Sequence, residues 1–253
     1  MAILKTKYMN PTGAIINPFI EDILSNPHCL IGGTTGSGKS VLLNNIIMSF
    51  LNTRGCNNSY ILIDPKMTEL QKYTCFPHCI GYTYDIQKAV NYLDWLIKEM
   101  EKRQLYMHKK GIAQFDGGHI YYIIDELADI MISPQKKDFK IKLQKVLQLG
   151  RASNIHVIAC TQSPSRRVIP SEVVLNFTNR VALRCLSNIE YRQILNVSIN
   201  EDLPKYGQAF YLTPGENIKR IYVELLTDTY YNNTVAWWKK ARINPIKALF
   251  NIV

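Results

Sequence analysis

Residues 32–40 read GGTTGSGKS, between the apolar run CLI (29–31) and the apolar segment VLLNNIIMSFL (41–51). From Gly33 the stretch fits G-x-x-x-x-G-K-[ST], with Gly33, Gly38, Lys39 and Ser40 in the fixed places. This motif constrains the backbone before it says anything of chemistry. Its glycines let the chain bend tightly and bring amides close to an anion, and the helix that follows adds the positive end of its dipole. A strand must enter the loop and a helix must leave it. Residues 29–33 read as a short buried strand. Leu42, Leu43, Ile46, Ile47 and Phe50 fall on one side of a helix over 39–51. The ligand such a loop takes is a nucleoside triphosphate. Lys39 can reach its β- and γ-phosphates, and the Ser40 hydroxyl can ligate magnesium. The expected nucleotide-binding set is Gly33, Thr34, Thr35, Gly36, Ser37, Gly38, Lys39, Ser40 and Val41.

Further along, SYILIDPK (59–66) is an apolar run ended by Asp64 and Pro65, which suits a buried parallel strand. Asp85 can cap a long helix that runs to about Lys110 and stops at Gly111, with Val90, Leu93, Ile97 and Met100 as its stripe. IYYIIDE (120–126) is another apolar strand. A helix is expected over 138–149, strands over 154–162 and 180–185, and a hairpin from 207–212 and 218–226 around TPGEN. This alternation predicts an α/β fold with a mostly parallel central sheet flanked by helices. The 253 residues suit one such domain over 27–226, with an N-terminal extension over 1–26 and a basic aromatic tail over 227–253 that holds Trp237 and Trp238.

IYYIIDE ends in Asp125 and Glu126. An aspartate at that strand end fits the role of holding a magnesium shell through water. An adjacent glutamate can orient and deprotonate an attacking water if it lies within hydrogen-bond reach. Two acids that only cap a strand are the plain alternative, and the phosphate loop upstream argues against it. Thr161 and Gln162 close the strand over 154–162, where a polar pair either senses a γ-phosphate or is a simple strand end. Asp64 and Lys66 of IDPK allow two readings: a part in an interface or in coupling, or an Asp-Pro turn followed by a surface lysine.

Lys and Arg outnumber Asp and Glu by 30 to 20, a net charge of +10. That balance favours an anionic partner, nucleic acid before a membrane surface. No run of 18 apolar residues predicts a membrane span, and the N-terminus lacks the apolar core of a signal peptide, so a cytoplasmic location is expected. The six scattered cysteines are expected to be reduced. Cys75-Phe-Pro-His-Cys79 offers three ligand types for zinc but no second pair, so a four-ligand site is not expected.

Several stretches together resemble the motor domain of the FtsK/SpoIIIE family of DNA translocases, in the FtsK–HerA class. They are PHCLIGGTTGSGKSVLLNNII, ILIDPKMTEL, the FPH of CFPHC, YYIIDELADIM, GRASNIHVIACTQSPS, NRVALRC and YGQAFYL, in the family's order over roughly residues 27 to 212. The resemblance implies a RecA-like P-loop NTPase that hydrolyses ATP with Mg2+ and forms a homo-oligomeric ring, usually a hexamer, around double-stranded DNA. It implies that Lys39, Ser40, Asp125 and Glu126 keep the roles argued above, and it puts Gln162 at the sensor position. Arg151, of GRAS, falls where the family carries an arginine thought to reach a neighbouring subunit's nucleotide; a plain surface arginine is the alternative, and Arg180 is the next candidate.

The family's loops after the catalytic strand ends line the ring's channel. The resemblance therefore implies that Lys136, Lys137, Arg166 and Arg167 contact backbone phosphate, against a simply solvated charged face. The division translocases' membrane helices, linker and winged-helix domain have no counterpart in these residues, so a stand-alone motor for transfer or maintenance of a mobile element, plasmid or virus is expected. A genome-packaging ATPase and a ring ATPase that moves protein in secretion are the alternatives; the basic loops favour DNA.

Overall fold

The computed structural model describes residues 8–9, 15–16, 26–52, 58–199, 201–223, 225 and 227–241. A two-stranded ribbon pairs β1 (Tyr8–Met9) with β2 (Ile15–Ile16). The main sheet has eight strands: β3 (His28–Gly32), β4 (Ser59–Ile63), β5 (Cys79–Thr83), β6 (Ile120–Ile124), β7 (Ile155–Thr161), β8 (Asn179–Ala182), β9 (Gln208–Leu212) and β10 (Lys219–Tyr222). Their order across the sheet is β10-β9-β8-β3-β7-β6-β4-β5. The six strands from β8 to β5 are parallel, and β9 and β10 form the expected antiparallel hairpin at one edge. The α/β fold with a mostly parallel sheet is therefore as the sequence predicts.

The helices are α1 (Lys39–Asn52), α2 (Ile86–Lys110), α3 (Leu127–Met131), α4 (Lys136–Leu149), α5 (Ser171–Val174), α6 (Asn188–Leu195) and α7 (Asp228–Ala241). Strand residues alternate between two buried layers. Cys29, Ile31, Leu62, Ile123, Ile158 and Cys160 pack with α1 on one face. Leu30, Ile61, Ile63, Ile124, Val157 and Ala159 pack with α2 and α4 on the other. Covering both faces is what lets the central strands be apolar along their whole length. At the strands' N-terminal ends, His119 Nδ1 lies 2.8 Å from His156 Nε2, and the Val157 amide donates to His28 Nδ1. Burial pushes His28 and His156 down to about 3, so both rings are neutral.

Local signals set most boundaries. The Asp85 side chain accepts from the Lys88 amide at 2.7 Å and starts α2; Gly111, at φ 66, ends it in the left-handed region. β4 stops at Ile63, where Asp64 and Pro65 end the apolar run as expected; Asp64 turns back to accept from the amides of Thr68, Glu69 and Leu70. Other expectations need correction. The helix expected from 138 starts at Lys136. Residues 228–241 of the expected tail form a helix, whose Tyr230, Tyr231 and Val235 pack on the core that includes α1. The side chains of Trp237 and Trp238 lie outside the described residues. Cys75 and Cys79 donate to the carbonyls of Lys72 and Gly81, and His78 stacks on Tyr60.

Arg103, on α2, is 2% exposed. It donates to Glu99 at 2.9 Å and to the carbonyls of Gly118 and Ser153 at 2.8 Å, and its guanidinium lies 4.4 Å from the Phe115 ring centroid. It thereby ties the loop before β6 to the turn before β7. Arg103→Ala should lower stability by about 3 kcal/mol, because it leaves buried acceptors unpaired and a void. Thermal unfolding checks this, with binding of a fluorescent ATP analogue retained at 20 °C by the folded fraction, since Arg103 stands at the opposite end of the sheet from the phosphate loop.

Candidate active site

The phosphate loop leaves the C-terminal end of β3 and turns into α1. Gly36 (φ 73) and Gly38 (φ 102) hold backbone angles that a side chain disfavours. Nothing lies within 4 Å of where a Gly36 side chain would begin, so the loop's crown is open. Next to it the Ser37 hydroxyl is buried with no partner. The Lys39 ammonium donates inward to the carbonyls of Gly33 (2.6 Å) and Thr34 (2.7 Å). Burial pushes Lys39 below the ordinary lysine range, and Glu126 and Asp125 pull it back up. An open crown, an orphaned hydroxyl, a buried ammonium and a helix start with no acid in its first turn fit a triphosphate. Ser40 on α1 and Asp125 after β6 are the residues that would hold magnesium.

The sheet order brings the remaining parts together. β7 lies between β3 and β6, so its C-terminal end, Thr161–Gln162, stands between the phosphate loop and the paired acids. The Thr35 hydroxyl donates to Gln162 Oε1 at 2.6 Å. The Gln162 amide donates to both Glu126 oxygens, at 3.1 and 3.2 Å. Glu126 is 2% exposed and also caps α3 by accepting from the Ala128 amide. Gln162 thus touches the loop with its side chain and the glutamate with its backbone, a junction that fits the sensor role.

Asp125 is partly buried among carboxylates. Burial first, then Asp64, Glu69 and Glu126, push it up to about 7. Lys66 was left open by the sequence; its ammonium sits 3.5 Å from Glu126 Oε2. The signal for it was the strand-end DPK, but its partner lies 60 residues away. The strand expected over 180–185 ends at Ala182, and beyond it the Arg184 carbonyl accepts from the amide and hydroxyl of Thr34 and anchors the loop's flank, a contact without a sequence signal.

Arg151 lies exposed on the turn before β7, at the end of the sheet opposite the phosphate loop. Arg180 is half-buried and donates to the carbonyls of Phe177 and Leu195. Lys136 and Lys137 form the exposed first turn of α4, and Arg166 and Arg167 lie exposed after β7. All four leave the same end of the sheet as the phosphate loop. Lys140 and Lys142, nearby, are instead paired with Glu172 and with Asp94 and Asp138.

Asp125→Asn should stabilise the nucleotide-free protein and abolish hydrolysis. The folded carboxyl titrates above the unfolded one, so its contribution to stability declines as pH rises from about 4 towards about 7 and is flat above. The variant's advantage should therefore be absent near pH 4 and reach on the order of 1–2 kcal/mol above pH 7, read from thermal melts without magnesium.

Residues 6–121 match the model of the FtsK/SpoIIIE family. The DNA translocase FtsK of Rhizobium meliloti (strain 1021) is 33% identical over 281 residues, covering 93% of this chain and 32% of the relative. The chain thus spans about a third of that relative's length. The pCW3 conjugation coupling protein TcpA, solved with ATPγS, has a TM-score of 0.74 at 22% identity, over 88% of this chain and 66% of that one. The cytoplasmic domain of the type VII secretion ATPase EccC of Thermomonospora curvata has a TM-score of 0.70 at 19% identity, over 85% and 28%. These two likenesses are of fold, the fold of P-loop ATPases. Among the described residues no helix is long and apolar enough to cross a membrane. The family match runs through the phosphate loop and the translocase alignment carries it over nearly the whole chain, so the protein belongs to the FtsK/SpoIIIE family.

Proposed function

We propose that this chain is the ATP-hydrolysing motor of a double-stranded DNA translocase, working as a homo-oligomeric ring of six copies in the transfer or maintenance of a mobile element, plasmid or virus. Lys39 and the loop amides hold the β- and γ-phosphates. Ser40, and Asp125 through water, would hold Mg2+, which would neutralise charge on the phosphates. Glu126 orients the attacking water and accepts its proton, and Gln162 reports the state of the γ-phosphate to the sheet.

One observation carries the DNA reading: the exposed cations Lys136, Lys137, Arg166 and Arg167 leave neighbouring strand ends beside the site. Lys136 and Lys137 stand at the positive end of α4, where cations are disfavoured by about 0.3–1 kcal/mol each unless an anion joins them. The exposed Lys140–Glu172 pair, at 2.6 Å, marks where α4 and α5 come next to each other, which brings the two basic segments to one side of the domain. A duplex offers repeating phosphates to such a pair without regard to sequence. The Rhizobium meliloti relative's name as a DNA translocase supports the same partner, and the likeness to a conjugation coupling protein supports the mobile-element setting.

The ring reading is supported by Arg151. It stands at the far end of the sheet from its own phosphate loop, so a nucleotide it served would belong to a neighbouring copy.

Steady-state ATP hydrolysis without nucleic acid, with linear duplex and with single strand tests the proposal, with Lys39→Ala and Glu126→Gln as inactive controls. Strong stimulation by duplex is expected; hydrolysis indifferent to nucleic acid overturns the DNA reading and favours a protein-moving ring. The double variant Arg166→Ala/Arg167→Ala should keep basal hydrolysis and lose most duplex stimulation. Its duplex affinity should fall less steeply with salt, the log–log slope dropping by about 2. Arg151→Ala should bind ATP normally yet lose about 10³-fold or more in kcat. Adding it to the Glu126→Gln protein should restore hydrolysis, since mixed rings then hold sites with an intact arginine facing an intact glutamate.

A further inference from the structure

The turn after β4 is fixed by its backbone. Asp64 is fully buried, and its carboxylate accepts from the amides of Thr68 (3.3 Å), Glu69 (3.1 Å) and Leu70 (3.0 Å). Its carbonyl accepts from the Met67 amide at 3.0 Å, and Met67 holds φ 56. Lys66 projects from this rigid turn, 40% exposed, between two carboxylates: 3.5 Å from Glu126 Oε2 and 3.6 Å from Asp129 Oδ2. Glu126 Oε1 already accepts from the amides of Ala128 and Gln162, and Oε2 accepts from Gln162 and Lys66. Both oxygens of the base are therefore engaged. Three of the four contacts come from backbone amides; Lys66 alone reaches the base on a flexible stem.

We propose that Lys66 is a positioning residue with two seats: on Glu126 it restrains the base, and wholly on Asp129 it frees Oε2 to accept from the attacking water. Asp129 lies on α3, and only residues 132–135 separate that helix from Lys136 and Lys137. A phosphate backbone bound at those lysines pulls on α3 and so shifts Lys66 between seats. The link to DNA rests on the function proposed above; the two-seat restraint of Glu126 does not. The sequence stretch IDPK then has a division of labour, with Asp64 building the turn and Lys66 using it.

The two seats predict opposite effects. Lys66→Met removes the restraint and should raise basal kcat about threefold while reducing the fold-stimulation by duplex. Asp129→Asn removes the alternative seat, leaves Lys66 on Glu126, and should lower basal kcat by about the same factor. Lys66→Arg should keep the wild-type pattern, and KM for ATP should stay constant in all three. A fall in kcat with Lys66→Met, or shifts of the same sign in Lys66→Met and Asp129→Asn, overturns the inference. If duplex fails to stimulate the wild type, the DNA reading falls, while the opposed signs in basal kcat still decide the restraint.

Discussion

The parallel ladder that seats β7 between β3 and β6 sets the spacing of the phosphate loop, Gln162 and Glu126. Gly32 pairs with Thr161 on one side, and Ile124 pairs with Ala159 on the other. Those two registers put Gln162 level with the base of the phosphate loop and within reach of Glu126. A slip of one residue would carry every side chain to the opposite face; both faces are apolar, so the close fit of particular side chains in each layer is what resists it. The site is thus positioned by the core: Ile31, Ile158 and Ile123 hold the strands that hold the phosphate loop, Gln162 and Glu126.

The charges at the strand ends balance through different means. Asp64 is satisfied by three amides and needs no cation. Glu126 is held by amides and one lysine, whereas Asp125 is pushed up by burial and then by its acidic neighbours, and is the carboxylate that would gain from a divalent cation. At the other end of the sheet the imidazoles of His28 and His156 stay neutral, so stacked rings rather than ion pairs secure the strand starts.

What the sequence made legible was whatever has a short-range signature. The phosphate loop is set by spacing, α2 by Asp85 and Gly111, and the acids by their place after five apolar residues. The edge strand β5 escaped notice because it is only partly buried along most of its length and carries no alternation, and the Cys-Phe-Pro-His before it was weighed as zinc ligands and set aside. α3, α5 and α6 are too short for a helical period to show. The basic run at 136 reads as a loop because lysines oppose a helix start, yet Phe139, Leu143, Val146 and Leu147 bury enough to form α4 over that preference. Pairings across distance, such as Lys66 with Glu126 or Arg103 with Ser153, exist only once the sheet has assembled.

The helix α7 lies against the back of the nucleotide machinery. Tyr231 meets the rings of Tyr73 and Phe76 edge-on and donates to the Lys72 carbonyl, while Tyr230 and Val235 join the core that contains Leu42, Leu43 and Ile46 of α1. α1 is the helix whose first residues are Lys39 and Ser40. Tension on the C-terminal segment therefore has a short mechanical route to the phosphates: through α7 to α1, across well-packed side chains that transmit displacement instead of absorbing it. On the motor function proposed above, such a route would make the grip on nucleotide sensitive to force as well as to chemistry.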